Sequence, residues 1–147
     1  MKQELVRDWM TANVIHVTPN TTLPRAHELM TRNNIRRLPV VLDDNILVGI
    51  ITLGDVRGAE PSQATSLSVW ELNYLLSNLL IDEIMTREPV TVRDDATIAE
   101  AASLMLDYRV SGLPVTDKQG KLVGVITESD IFRMVVRHEW QRVESPV

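Results

Sequence analysis

Two short stretches hold the residue types with the clearest chemical use. Gly124-Val125-Ile126-Thr127-Glu128-Ser129-Asp130 runs from an apolar strand into a helix start, and Gly49-Ile50-Ile51-Thr52-Leu53-Gly54-Asp55 does the same earlier in the chain. In each, a hydroxyl and a carboxylate stand three residues apart, on one side of a first helical turn. An ionised carboxylate accepts several hydrogen bonds at once, so it suits the paired hydroxyls of a ribose. The threonine hydroxyl and the open amides of a helix start suit a phosphate. The same residues also make an ordinary helix cap, with threonine at the N-cap and the acid favoured by the helix dipole. Capping alone tolerates Ser, Asn or Asp, yet both stretches keep Thr and then Asp.

The two stretches lie 75 residues apart, and that offset holds without a gap over most of the chain. Met10-Thr11 matches Met85-Thr86, Val17 matches Val92, Thr22 matches Thr97, and Ala26 matches Ala101. Leu29-Met30 matches Leu104-Met105, Leu38-Pro39-Val40 matches Leu113-Pro114-Val115, and Leu47-Val48-Gly49 matches Leu122-Val123-Gly124. About 16 of roughly 52 paired positions are identical, which marks an internal duplication. One copy is too small for a good core, whereas two make an ordinary domain. The copies are therefore expected to pack face to face about a pseudo-twofold axis, with a cleft where equivalent edges meet.

Each copy reads strand, helix, strand, strand, helix (β-α-β-β-α), which defines a mixed α/β (α+β) fold. The first motif is expected over residues 1–57, a loop and helix over 58–80, the second motif over 81–138, and a loose tail over 139–147. A helix is expected over 2–10 and short strands over 14–17 and 90–92. Thr22 and Thr97 cap helices whose apolar residues fall on one face, with Pro24 tolerated in the first turn. Residues 38–42 and 46–51 form one hairpin around Asp43-Asp44-Asn45, and 113–116 and 121–126 form another around Asp117-Lys118-Gln119-Gly120. A brief helix is expected over 52–57 and a longer one over 129–138, with Ile131, Met134 and Val135 inward. Residues 58–68 read as a loop and 69–80 as a helix. Trp70, Leu72, Leu75, Leu76 and Leu79 are too many for one narrow stripe, so burial on two sides is expected there, by the helix's own chain and by a second copy; covering the intramolecular core alone is the plainer alternative.

Pro39 and Pro114 lack a backbone donor and so suit a strand start or a sheet edge, where free carbonyls and amides can meet a flat ligand. Arg36, Arg37, Arg57, Arg109 and Arg133 lie near the ends of the candidate ligand elements, and guanidinium groups suit phosphate; a solvated surface is the plainer alternative for any one of them.

The composition restricts the function. There are no cysteines, which excludes disulfides and thiolate chemistry and favours an intracellular, cytoplasmic setting. A net charge of −5 and few aromatics argue against nucleic-acid binding. No apolar run is long enough for membrane insertion. His16, His27 and His138 lack partners at metal-ligand spacing, Asp43-Asp44 and Asp94-Asp95 read as turn formers, and no nucleophile elbow is present. The residues make no case for an active site.

The combination of Ile84-Met85-Thr86, Val110-Ser111-Gly112-Leu113-Pro114-Val115 and a twice-occurring Gly-x-x-Thr-x-x-Asp resembles the CBS domain family, over about 6–57 and 81–133. The chain is similar to stand-alone tandem pairs without a catalytic domain. The resemblance implies a regulatory module, not an enzyme, with no cofactor and with an adenosyl ligand such as AMP, ADP, ATP, S-adenosylmethionine or NAD between the motifs. It implies a homodimer and a regulated partner protein. Carried over, Thr127 and Asp130 would hold phosphate and ribose while Thr11, His16, Ile35 and Arg36 meet the base. The related cleft would use Thr52, Asp55, Thr86, Thr91, Val110 and Ser111, and Arg37, Arg57 and Arg133 are candidate phosphate contacts. Arg36-Arg37 departs from the small residues usual before Leu-Pro-Val, which implies either a narrower first cleft or added phosphate contacts that favour a more phosphorylated ligand; Gly54 and Ser129 differ between the copies, so the two sites need not be equal.

Overall fold

The computed structural model describes residues 3–59 and 68–144. The elements run α1 (Val6–Trp9), β1 (Thr11–Ala12), α2 (Leu23–Asn33), β2 (Arg37–Val41), β3 (Leu47–Thr52), α3 (Leu53–Ala59), α4 (Val69–Asn78), β4 (Thr86–Arg87), β5 (Val92–Arg93), α5 (Ile98–Tyr108), β6 (Gly112–Thr116), β7 (Leu122–Thr127) and α6 (Glu128–Glu144), with a 3-10 turn at Ile81–Glu83. Helix and strand are mixed in an α+β arrangement.

The chain folds as two compact units, and these do not coincide with the sequence repeats. One unit is residues 15–89; the other combines residues 1–14 with 90–147. The discontinuous unit holds a sheet of order β1-β7-β6-β5, and the continuous unit holds one of order β2-β3-β4. In the first, β1 lies antiparallel on β7 with Thr11 opposite Val125. In the second, β4 lies antiparallel on β3 with Thr86 opposite Ile50. These pairings are equivalent under the 75-residue offset, so each unit takes its outer strand from the other repeat.

Two glycines explain how that strand fits. A Cβ on Gly124 would stand 2.7 Å from the Thr11 backbone oxygen and 2.8 Å from Met10 Sδ. On Gly49 it would stand 2.7 Å from Met85 Sδ and 3.0 Å from the Thr86 oxygen. Only glycine lets the backbones approach this closely in mid-strand.

The helices follow their caps. Thr22 accepts from Arg25 N–H to open α2, which buries Leu23, Ala26 and Met30, and Asn34 ends it in the left-handed region. Thr97 and Glu100 form a reciprocal cap on α5, which buries Ile98, Ala101 and Met105; Arg109 ends it, also left-handed. The discontinuous unit's core joins Val6, Val92, Leu113, Val115 and Ile126 to the α5 residues. The continuous unit's core joins Val17, Leu38, Val40, Ile51, Val56, Ile81 and Met85 to the α2 residues.

Several elements depart from the sequence expectation. The first helix is one turn, Val6–Trp9, because the chain extends into β1 at Thr11. No strand forms over 14–17; Val17 makes a single parallel bridge to Val40, the counterpart of the Val92–Val115 pairing of β5 with β6. The expected loose tail is helical through Glu144, and Val135 is 47% exposed where an inward position was expected. On α4, Leu76 and Leu79 pack on the continuous unit's core, while Trp70 is 84% and Tyr74 72% exposed within this single chain. Most of the expected loop over 58–68 lies outside the described residues. Pro39 and Pro114 are buried inside paired strands, and the Pro39 carbonyl accepts Val17 N–H at 3.0 Å, so no free edge is presented there.

Candidate functional site

The second-repeat corner forms where β7 runs directly into α6. Asp130 turns back over the start of its own helix. Its Oδ2 accepts the Thr127 N–H at 2.9 Å and the Thr127 hydroxyl at 3.2 Å. Its Oδ1 accepts Arg133 Nη1 at 2.7 Å. Asp130 is 4% exposed, one of the few buried charged residues, which is tolerable because a guanidinium and two other donors satisfy it. The Ser111 carbonyl accepts Glu128 N–H at 3.0 Å, so the segment before β6 closes the other side of the corner.

The first-repeat corner is built alike, at the junction of β3 and α3. Thr52 N–H donates to Asp55 Oδ2 at 2.9 Å, and Asp55 N–H donates to Thr52 Oγ1 at 3.1 Å. The Arg36 carbonyl accepts Leu53 N–H at 2.8 Å, in the place of Ser111. Here the threonine oxygen is an acceptor, so its proton remains to be donated elsewhere. Among the described residues no bond reaches Asp55 Oδ1. Helix capping is thus real in both copies, and it consumes only part of each carboxylate, which offers about four acceptor directions.

The sequence-derived site residues divide evenly. Thr11, Thr91, Val110, Ser111, Thr127 and Asp130 lie in the discontinuous unit, and His16, Ile35, Arg36, Thr52, Asp55 and Thr86 in the continuous one. Under the 75-residue offset the two sets are the same positions. Thr11 shares a unit with Asp130 and Thr86 with Asp55; His16, Ile35 and Arg36, which the resemblance assigns to the cleft of Asp130, share a unit with Asp55, and Thr91, Val110 and Ser111, which it assigns to the cleft of Asp55, share one with Asp130. Of the arginines, Arg37 sits opposite Thr52 in the β2–β3 ladder, Arg36 and Arg57 are exposed, and only Arg133 is bonded to a corner carboxylate. That bond was not foreseen, although a three-residue spacing on a helix was a sufficient signal for it. Among the described residues no group of His, Asp or Glu is arranged to hold a metal, and no helix is long and apolar enough to cross a membrane.

A duplicated strand-to-helix corner with Thr and Asp, on paired α+β units, defines a tandem-repeat module. The chain belongs to the CBS domain family: the CBS domain family model matches residues 6–62 and 81–137. It is 37% identical over 133 residues to a CBS domain-containing protein of Dictyostelium discoideum, covering 90% of this chain and 92% of that one. Among solved structures it resembles CBSX2 in complex with AMP, at 30% identity, a TM-score of 0.78, and coverage of 92% of this chain and 98% of that one. It also resembles the CBS domain pair of protein MJ0100 in complex with 5′-methylthioadenosine and S-adenosyl-L-methionine, at 30% identity, TM-score 0.76, and coverage of 93% and 99%. It is 34% identical to homoserine O-acetyltransferase of Methanococcus vannielii, covering 92% of this chain but only 25% of that enzyme.

Proposed function

We propose that the chain is a regulatory sensor that binds an adenosyl ligand at its two Thr/Asp corners and signals to a partner protein. The observation that carries this is the twofold occurrence of a carboxylate pinned by its own helix start, with Thr127 and Asp130 in one unit and Thr52 and Asp55 in the other. A ribose diol would use the remaining carboxylate acceptors. The relatives solved with AMP, 5′-methylthioadenosine and S-adenosyl-L-methionine support adenosyl chemistry. The further contacts belong to the same reading: Thr11, Thr91, Val110 and Ser111 in one unit, and His16, Ile35, Arg36 and Thr86 in the other, with Arg37 and Arg57 near phosphate. No reaction is assigned to the chain, and a cytoplasmic setting rests on its cysteine-free composition.

Self-association into a homodimer is part of the proposal. Phe132, Val135 and Val136 form an outward stripe on α6, 63%, 47% and 66% exposed, and Leu106 on α5 is 80% exposed. Apolar residues at such helical spacing suit burial against a second copy.

A thermal-shift panel with AMP, ADP, ATP, S-adenosylmethionine and NADH tests the sensor reading. A ligand at about 100 times its Kd adds roughly 2.7 kcal/mol of stability. Absence of a shift with every compound leaves a structural dimerisation module in its place.

A further inference from the structure

We propose that Arg133 determines the specificity of the Thr127–Asp130 corner, making it select adenosyl ligands that carry a 5′-phosphate over those that carry none. This inference rests on the adenosyl-binding reading above. Arg133 Nη1 holds Asp130 Oδ1 at 2.7 Å while Thr127 holds Oδ2 from the other side. The Arg133 side chain is 62% exposed and that of Asp130 only 5%. One guanidinium nitrogen is therefore anchored on a buried acid, and the rest of a five-donor fork faces outward. A ribose hydroxyl that takes the remaining acceptor direction of Oδ1 shares that oxygen with Arg133 and weakens its hold. A ligand without phosphate then loosens a charge-assisted pair and returns nothing for it. A ligand with phosphate lets the same guanidinium bridge from carboxylate to phosphate, or move to the phosphate entirely.

The duplication sharpens the point, because the corners keep Thr and Asp but relocate the guanidinium. The offset places Gly58 at the position of Arg133, so the first-repeat corner has no counterpart on its helix. In the other direction, Arg36 and Arg37 occupy the positions of Ser111 and Gly112. Thus Asp130 is neutralised by a residue of its own helix, whereas Asp55 has no bonded cation among the described residues. A mere helix-stabilising pair, the plainer explanation of Arg133, leaves the ratio of affinities for charged and neutral ligands unchanged.

The test is titration calorimetry of AMP and of adenosine into the full chain carrying Asp55→Asn, which confines the readout to one corner, and into the same chain with Arg133→Gln or Arg133→Lys. Arg133→Gln is expected to weaken AMP about tenfold while adenosine changes less than twofold or tightens; Arg133→Lys, which keeps charge without the fork, falls between. Thermal melts of each variant report folding separately from binding. Equal weakening of AMP and adenosine, or no change in either, overturns the role of Arg133 and leaves the sensor reading intact. Binding of neither compound by the wild-type chain overturns both.

Discussion

The backbone oxygen of Thr11 lies 2.7 Å from where a Cβ on Gly124 would stand. This close approach sets β1 against β7 three residues before Thr127. Gly124→Ala should therefore push the strand off and destabilise the fold by about 1–3 kcal/mol, as overpacking does. Gly49→Ala should cost less, because its nearest neighbour is the flexible end of Met85 rather than backbone. Denaturant titration of both variants checks the order, and an equal or reversed cost contradicts it.

Asp130 is both a cap and a proposed ligand group, and the two roles predict different readouts. Asp130→Ala should lower stability by about 1 kcal/mol through the lost cap. It should also weaken adenosyl ligands about 10- to 100-fold, since bonds to a charged acceptor are lost. Asp130→Asn should recover most of the stability but little of the affinity. Calorimetry beside thermal melts separates the effects, and an unaltered titration by Asp130→Ala removes this corner from the binding site.

Much of this was legible in the sequence, and the failures have definite causes. Helices α2 and α5 announced themselves by Thr22 and Thr97 and by apolar residues at helical spacing. The two hairpins followed from their turn residues. The corner was legible because Thr and Asp recur in register. The strands β1 and β4 were not, since two exposed residues carry no alternation. The exchange of outer strands was hidden for a deeper reason. Because both repeats carry the same Met-Thr and Gly pattern, pairing within a repeat and pairing across repeats are equally consistent with it. Helix α6 ran past its expected end because a charged, polar segment suits an exposed helix as well as a tail.

Phe132→Glu combined with Val136→Glu should shift a dimer to monomer, because a like-charged pair would replace an exposed apolar stripe. Light scattering at several concentrations reads the mass. An unchanged dimer mass places the interface elsewhere, and a monomeric wild type removes the homodimer.

The second hairpin carries a pH signature. Asp117 is held below the ordinary carboxylate range, first by the Lys121 N–H and also by the Gln119 N–H, at 3.0 and 2.8 Å from its Oδ1. A carboxyl depressed in the folded state stabilises the fold above its unfolded value and loses that contribution as pH falls through the folded one. Wild type should therefore exceed Asp117→Asn in stability near neutrality, with the gap closing only in acid below the usual aspartate range. Melts of both proteins across that window check the sign, and a gap independent of pH contradicts it.

The borrowed outer strands give Thr11 and Ala12 a long reach along the chain. Trimming the residues before Val14 would leave the first repeat's own sheet whole and strip the covering from Gly124, more than a hundred positions downstream. The strand that leads into the corner of Asp130 thus depends for its neighbour on residues of the other repeat.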